Sequence, residues 1–171
     1  AAARVGAGLT SVGTRGEHLA AVLAARPECM VVPIEADGDL EGTLERASVA
    51  AIGPGLGQAD WGRARFERLR RWSGPMVMDA DALNLLAADP DRHEQRVITP
   101  HPGEAARLLG WDTATVQADR FAAVEALQAR YGGVAVLKGV GTLIADGTHA
   151  WLSDTGNPGM ASGGMGDVLT G

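Results

Sequence analysis

Short apolar runs alternate with longer amphipathic segments along the chain. The runs are apolar at consecutive positions rather than at alternate ones, which is typical of strands buried on both faces of a parallel sheet. The segments between them carry apolar residues at helical spacing. This alternation predicts an α/β fold with a largely parallel sheet. The strands are expected within 30–35, 49–53, 76–80, 96–100 and 134–139.

The predicted helices fill the intervals between these strands. The longest covers 115–133, with Thr115 as its N-cap and Gly132 closing its end. The residues expected on its buried face are Val116, Val124, Leu127 and Tyr131. Further helices are expected within 16–27, 39–47, 60–72, 81–89 and 103–110. Residues 142–154 have a different pattern, which predicts an antiparallel edge hairpin around an Asp146-Gly147 turn.

Length and composition limit the possible classes of protein. A chain of 171 residues with 46% hydrophobic content and no repeat or linker is expected to form one domain, 1–171. The net charge of -6 argues against a nucleic-acid partner, because such proteins carry a clustered basic surface. Cys29 is the only cysteine, so no internal disulfide can form. No apolar run reaches the ~18 residues of a membrane span. We therefore expect a soluble, cytoplasmic protein.

Four polar or glycine-rich segments follow predicted strands directly. They are GPGLG (53–57), DADALN (79–84), PHPGE (100–104) and KGVGT (138–142). Open α/β sheets bind ligands at the carboxyl ends of their strands, so these loops are expected to share one crevice. Neither the GxGxxG dinucleotide pattern nor the GxxxxGK[ST] phosphate loop is present.

Each of these segments also has a purely structural interpretation. The glycines can simply allow a turn, and Asp81 is expected to be a helix N-cap. His101 can be a surface histidine and Glu104 an acid in the first turn of a helix. Lys138 can extend to solvent or meet a nucleotide phosphate. Asp79 stands apart, because it ends a predicted strand at the rim of the crevice.

The last segment, ASGGMGDVLTG (161–171), places an acid directly after a glycine-rich turn. Asp167 can be a helix-terminal acid that interacts favourably with the helix dipole. Alternatively, the amides from Gly164 to Gly166 neutralise a phosphoryl group while Asp167 takes a proton from the attacking hydroxyl. The second interpretation is favoured, because a strand-end lysine and a strand-end aspartate accompany the turn, as phosphoryl transfer requires.

Five segments, in this order, carry a specific resemblance to a known family. They are GPGLG, DADALNLLA, VITPHPGEAARLLG, RYGGVAVLKGVGT and GNPGMASGGMGDVLTG. Together they resemble the bacterial ADP-dependent NAD(P)H-hydrate dehydratases, which form the C-terminal domain of YjeF-type repair proteins. The resemblance covers nearly all of the chain. It implies a ribokinase-like α/β/α fold of three layers with a mostly parallel central sheet and a small antiparallel edge hairpin.

The resemblance also implies an activity and a set of site residues. Members of the family phosphorylate the ring hydroxyl of hydrated NADH or NADPH, phosphate then leaves, and the double bond is restored. Asp167 is implied to be the catalytic base. The implied nucleotide-binding residues are Lys138, Gly139, Val140, Gly141, Thr142 and Gly166. The implied substrate-binding residues are Gly57, His101 and Asp167. Accessory rim residues are expected to be Asp79, Asn84, Glu104, Asn157 and Gly164.

ADP as phosphoryl donor, together with Mg²⁺, follows from the same resemblance. Glu104 or Asp79 would help hold the metal through water, and no set of metal ligands is assigned. Physical reasoning alone does not separate ADP from ATP, because both offer a terminal phosphoryl group. The resemblance further implies a homo-oligomer and a parent protein with an N-terminal NAD(P)HX epimerase domain. Since the family domain has segments on both sides of 1–171, the chain is expected to be truncated at both ends.

Two alternatives remain open from the sequence. The first is a ribokinase-like kinase that releases a phosphorylated small molecule such as a vitamin precursor. The second is a nucleotide-binding module without catalytic activity. The segments PHPGEAARLLG and DADALN favour the dehydratase over the kinase.

Overall fold

A computed structural model describes residues 1–36 and 38–171, and the chain divides into two compact units. The first unit spans 1–48 and includes Gly171. It contains short 3-10 helices at Ala2–Val5 and Gly16–His18, and four longer elements. These are strand β1 (Ser11–Thr14), helix α1 (Leu19–Ala25), strand β2 (Met30–Pro33) and helix α2 (Asp37–Leu44). The single domain expected from the sequence stays a prediction.

Strand β1 was not predicted from the sequence. Its sequence, SVGT, holds one large apolar residue, so it lacks the pattern of a buried strand. It forms because it pairs in parallel with β2, from Ser11 opposite Met30 to Thr14 opposite Pro33. The two strands make a separate two-stranded sheet.

The second unit spans 49–170 and is built on a six-stranded sheet. The strands are β3 (Ala50–Ile52), β4 (Met76–Met78), β5 (Arg96–Ile98), β6 (Val134–Leu137), β7 (Thr142–Ala145) and β8 (Ala150–Ser153). They lie side by side in chain order. Pairing is parallel from β3 to β6 and antiparallel from β6 to β8. The predicted α/β class, the mostly parallel sheet and the antiparallel edge hairpin are therefore confirmed.

Helices lie between and after the strands of this unit. They are α3 (Asp60–Arg70), α4 (Ala80–Ala88), α5 (Pro102–Leu109), α6 (Thr113–Ala118), α7 (Arg120–Tyr131) and α8 (Met165–Thr170), with a 3-10 helix at Pro158–Met160. Helices α3 to α7 connect the parallel strands, and α8 follows the last strand. The hydrophobic core lies between the sheet and these helices. Its fully buried side chains include Met78, Leu86, Ile98, Leu127 and Leu137. In the described part of the chain, no helix has the length and apolar character needed to cross a bilayer.

The single helix predicted over 115–133 is wrong, because the structure has two helices there. The Asp119 carboxylate accepts a hydrogen bond from the amide of Ala122, which caps a new helix and ends the previous one. Asp112, and not Thr115, is the N-cap of α6, and its carboxylate accepts from the Thr115 amide at 2.6 Å. The predicted end is confirmed, since Gly132 follows α7 with a φ of 75°. The four residues predicted on the buried face are all fully buried: Val116, Val124, Leu127 and Tyr131.

The turn between β7 and β8 contains a carboxylate whose ionisation is coupled to folding. Asp146 Oδ1 accepts hydrogen bonds at 2.8 Å from the amides of His149 and Thr148 and from the Thr148 hydroxyl. These bonds favour the charged form and lower the pKa of Asp146 from its ordinary value of 3.8 to about 2. The turn is therefore stabilised above pH 3.8, and this contribution is lost as the pH falls through about 2.

We expect the carboxyl carbon signal of Asp146, followed by NMR, to titrate with a midpoint near pH 2. Thr148→Ala removes the hydroxyl donor but keeps both amides, so it should raise that midpoint without abolishing the shift. A wild-type midpoint at or above 3.8 would contradict the assigned hydrogen bonds.

Candidate functional site

The four predicted loops do begin at the carboxyl ends of parallel strands or just beyond them. GPGLG follows β3, DADALN follows β4, PHPGE follows β5 and KGVGT follows β6. The first two pack tightly, since a Cβ added at Gly53 would lie 1.7 Å from the carbonyl oxygen of Asp79. Gly53 also has a φ of 132°, so only glycine fits this position. The strand ends thus form one continuous rim.

A buried ion pair lies at the centre of this rim. Asp79 is 2% exposed, and its Oδ1 accepts a hydrogen bond from Lys138 Nζ at 2.7 Å. Its Oδ2 accepts from the hydroxyl of Thr170 at 2.8 Å. Asp79 therefore links the ends of β4 and β6 to helix α8, which carries Asp167. Asp79 and Lys138 were predicted at this rim, but sequence reasoning missed Thr170.

His101 and Glu104 form a capping box at the start of α5. Glu104 Oε2 accepts from the His101 amide at 2.8 Å, while His101 Nδ1 accepts from the amides of Gly103 and Glu104. The neutral His101 ring then carries its proton on Nε2, which lies 3.6 Å from Glu104 Oε1. Glu104 Oε2 is also 3.9 Å from Lys138 Nζ. The ammonium of Lys138 thus faces two carboxylates.

The start of α8 rests directly on the ion pair, through the glycine that immediately precedes Asp167. A Cβ added at Gly166 would lie 3.4 Å from Asp79 Oδ2 and 3.5 Å from Lys138 Nζ. Gly164 has a φ of 85°, which lets the chain enter the helix at this point. Asp167 lies in the first turn of α8, exposed, with no hydrogen bond or ion pair to the residues that the structure describes. Its carboxylate is therefore available to a ligand on the rim.

The KGVGT loop is held by an arginine that sequence reasoning also missed. Arg120 Nη1 donates to the carbonyl of Val140, and Nη2 donates to those of Leu137 and Lys138 at 3.2 and 3.3 Å. Thr142 Oγ1 donates to the carbonyl of Gly139 at 3.1 Å. Arg120 follows the helix break at Asp119, and no sequence pattern indicates this contact.

The role predicted for Asp81 is wrong. Helix α4 starts at Ala80, so Asp79 occupies the N-cap position and Asp81 lies in the first turn. The carboxylate of Asp81 instead accepts from the Gly57 amide at 2.9 Å and from Gln58 Nε2 at 3.2 Å. Ala80, the first residue of this helix, has a φ of 47°, an unusual conformation for a residue with a side chain. Asp81 thereby fixes the loop that contains Gly57.

Two of the predicted accessory residues lie outside the ion-pair cluster. Asn84 Oδ1 accepts a hydrogen bond from Arg107 Nη1, which joins α4 to α5. Asn157 Oδ1 accepts from the Gly159 amide at 2.9 Å and caps the 3-10 helix at Pro158–Met160. No hydrogen bond or ion pair connects either asparagine to Asp79, Glu104 or Lys138 within the described residues. The cluster itself consists of Asp79, Glu104, Lys138, Gly166 and Thr170.

The donor set does not form an all-protein metal site. Among residues 1–36 and 38–171, no group of three or more His, Cys, Asp or Glu side chains could hold a metal ion. Both oxygens of Asp79 already accept hydrogen bonds, and Glu104 Oε2 is used by the capping box. This arrangement suits a Mg²⁺ ion that arrives with phosphate ligands and keeps several waters.

Comparisons with known proteins identify the family of the chain. A family model for carbohydrate-kinase-like proteins, described as NAD(P)H-hydrate dehydratase, matches residues 1–171. The chain is 55% identical to the bifunctional NAD(P)H-hydrate repair enzyme Nnr of Escherichia coli, over 100% of this chain and 33% of that protein. It thus spans about a third of the length of the first curated relatives that it matches.

Solved structures give the same fold. The ADP/ATP-dependent NAD(P)H-hydrate dehydratase of Bacillus subtilis, co-crystallised with ATP/Mg²⁺ and soaked with CoA, matches with a TM-score of 0.82 and 31% identity. The match covers 99% of this chain and 63% of that one. A ribokinase-like superfamily protein of Enterococcus faecalis has a TM-score of 0.86 and 32% identity, over 96% of this chain and 59% of that one. The expected ribokinase-like fold is confirmed.

Proposed function

Because the chain belongs to the NAD(P)H-hydrate dehydratase family, we propose that its parent protein converts hydrated (S)-NADHX and NADPHX back to NADH and NADPH at the expense of ADP. One observation carries the proposal: the last glycine of the glycine-rich segment before Asp167 lies against the Lys138–Asp79 ion pair. A phosphoryl group on this segment would meet amide donors and a cation, and an exposed carboxylate would stand beside it.

The first step is phosphoryl transfer to the hydroxyl of the hydrated ring. The hydroxyl oxygen forms a bond to the terminal phosphorus of ADP, the bond from that phosphorus to the bridging oxygen breaks, and AMP leaves. Asp167 accepts the hydroxyl proton as the oxygen attacks. The amides from Gly164 to Gly166 and the ammonium of Lys138 stabilise the charge on the transferred group.

The second step is elimination. Hydroxide is a poor leaving group, whereas phosphate carries away the electrons of the C–O bond easily. The ring nitrogen supplies the electron pair as phosphate leaves, and a proton lost from the neighbouring carbon restores the double bond. The products are reduced cofactor, AMP and phosphate, so phosphorylation makes the dehydration irreversible.

Within this proposal the other residues of the rim bind and orient. Gly57 and His101 contact the hydrated dinucleotide, and Lys138 to Thr142 with Gly166 contact the adenine nucleotide. Magnesium, when bound with the nucleotide, supplies positive charge to the phosphates, and Glu104 or Asp79 would reach its water ligands. Asn84 and Asn157 are proposed as accessory residues of the rim, and neither makes a hydrogen bond to the ion pair in the described part of the chain.

The test uses the intact parent protein with Mg²⁺ and hydrated NADH. ADP or ATP is added, and the absorbance of reduced nicotinamide is followed together with phosphate release. We expect NADH and phosphate to appear in equal amounts. Comparing the rates with ADP and with ATP shows which nucleotide is the better donor. A stable phosphorylated product without recovered NADH would overturn the dehydratase and support a kinase. Nucleotide binding without any turnover would support a non-catalytic module.

We also propose that the parent protein carries the NAD(P)HX epimerase domain implied by the resemblance and acts as a homo-oligomer in the cytoplasm. The word bifunctional in the name of the E. coli relative supports the epimerase part. Epimerisation of (R)-NADHX by the intact parent tests the epimerase domain, its mass by light scattering tests the homo-oligomer, and cell fractionation tests the cytoplasmic location.

A further inference from the structure

The strongest contact in the site without an assigned role is the fork of Arg120 under the KGVGT loop. Arg120 is the first residue of α7, and its two terminal nitrogens donate to the carbonyls of the last residue of β6 and of two loop residues. Those residues are Leu137, Lys138 and Val140. The guanidinium thus fixes the direction of three peptide planes in a loop of only five residues.

The direction of these planes decides where the loop amides point. In a trans peptide the carbonyl and the following N–H point to opposite sides. The carbonyls of Lys138 and Val140 face Arg120, so the amides of Gly139 and Gly141 face away from it. In 1–36 and 38–171, no acceptor takes either of these amides, whereas the Lys138 amide donates to the Pro100 carbonyl at 2.9 Å. Two free donors therefore point away from the guanidinium.

The glycines of the loop allow the close approach of Arg120 and have backbone conformations that other residues rarely adopt. A Cβ added at Gly139 would lie 3.0 Å from Arg120 Nη2, and Gly139 has a φ of 143°. Gly141 has a φ of 66°, which is also unfavourable for other residues. The close approach and the two backbone conformations together hold one loop shape, with its carbonyls on one side and free amides on the other.

We infer that Arg120 is a positioning residue for the phosphates of the adenine nucleotide. It does not contact the nucleotide. It binds the carbonyl side of the KGVGT loop and so presents the amides of Gly139 and Gly141 to an anion on the opposite side, next to Lys138. This inference rests on the proposed function, because it takes the nucleotide as the occupant of that side.

The test measures ADP binding to the intact parent protein by calorimetry, together with KM for ADP and kcat. Arg120→Ala should raise the Kd and the KM for ADP by about tenfold or more, since two donors lose their fixed direction, with a smaller change in kcat. Arg120→Lys keeps the charge but cannot fork to three carbonyls, so it should restore only part of the affinity. Thermal unfolding of each variant shows whether it is folded. If Arg120→Ala is not folded, the comparison of Arg120→Lys with wild type tests the inference.

Arg130→Ala is the matched control. Arg130 lies on the same helix and donates to one carbonyl, that of Leu109 at 3.4 Å, away from the loop. It should leave the Kd for ADP unchanged. Equal ADP affinity in wild type, Arg120→Ala and Arg120→Lys would overturn the positioning role and leave the proposed function intact. If the wild type itself bound no ADP, the proposed function and this inference would both fail.

Discussion

Asp167→Asn in the intact parent protein is expected to lower kcat for NADHX dehydration by about 10²- to 10⁴-fold, the range for loss of a general base. The amide has the shape of the carboxylate but cannot take the proton of the attacking hydroxyl. Because Asp167 is exposed and makes no hydrogen bond or ion pair with the described residues, the substitution should leave the fold nearly unchanged and should not weaken ADP binding.

The measurement is single-turnover recovery of NADH at saturating ADP and substrate, with ADP binding measured in parallel. Asp154→Asn is the control, because Asp154 is also an exposed acid but follows the edge strand β8. It should behave as wild type. If Asp167→Asn kept the full rate, another group would have to accept the proton, and the role given to Asp167 would be wrong.

Asp79→Ala is expected to lower the free energy of unfolding by roughly 3 kcal/mol, the lower end of the range for breaking a buried ion pair. The lower end applies because the Lys138 side chain is 20% exposed and water can partly solvate its ammonium. The substitution leaves that ammonium without its nearest carboxylate and removes one of the two acceptors of the Thr170 hydroxyl, the other being the Gly166 carbonyl. Helix α8 therefore loses a contact that holds it to the sheet.

Urea unfolding of the parent protein, followed by a probe in this domain, measures the effect. The double variant Asp79→Leu with Lys138→Met replaces both charges by apolar groups and should be more stable than Asp79→Ala, because it leaves no ammonium without its nearest carboxylate, while Glu104 keeps its hydrogen bond from the His101 amide. Asp89→Ala removes a carboxylate that is 68% exposed and should change stability little, because its partner Arg70 keeps a second ion pair with Glu67 at 3.4 Å. A double variant no more stable than Asp79→Ala would refute the ion-pair explanation.

Sequence reasoning predicted the strands of the main sheet and the rim at their ends, because both depend on local patterns. Buried parallel strands are continuous apolar runs, and the topology of such sheets brings their carboxyl ends together. The proximity of Asp79 to Lys138 follows from these two rules even though 59 residues separate them. The roles of the site residues in binding and catalysis stay predictions.

The missed residues share a physical reason. Thr170 donates a hydrogen bond to Asp79, 91 residues away, and Arg120 donates one to Val140, 20 residues away. No spacing of residues in the sequence indicates either contact. The break at Asp119 was missed because the helical pattern of apolar residues continues on both sides of it. The boundary between α6 and α7 is set by the Asp119 carboxylate, which caps α7. The spacing of apolar residues does not show whether such a side chain will cap a new helix or let the first helix continue.

The position of Lys138 between two acids has a consequence for which anions the rim accepts. Asp79 and Glu104 both face its ammonium, and Asp167 follows the adjoining turn, so the formal charges of these four side chains sum to an excess of negative charge. A bare polyphosphate is repelled by that excess at short range. Within the proposed function, amide dipoles and a counter-cation carried in by the ligand would therefore add to the attraction that Lys138 exerts. On the same proposal, the rim would favour phosphate that arrives already neutralised over phosphate that is free in solution.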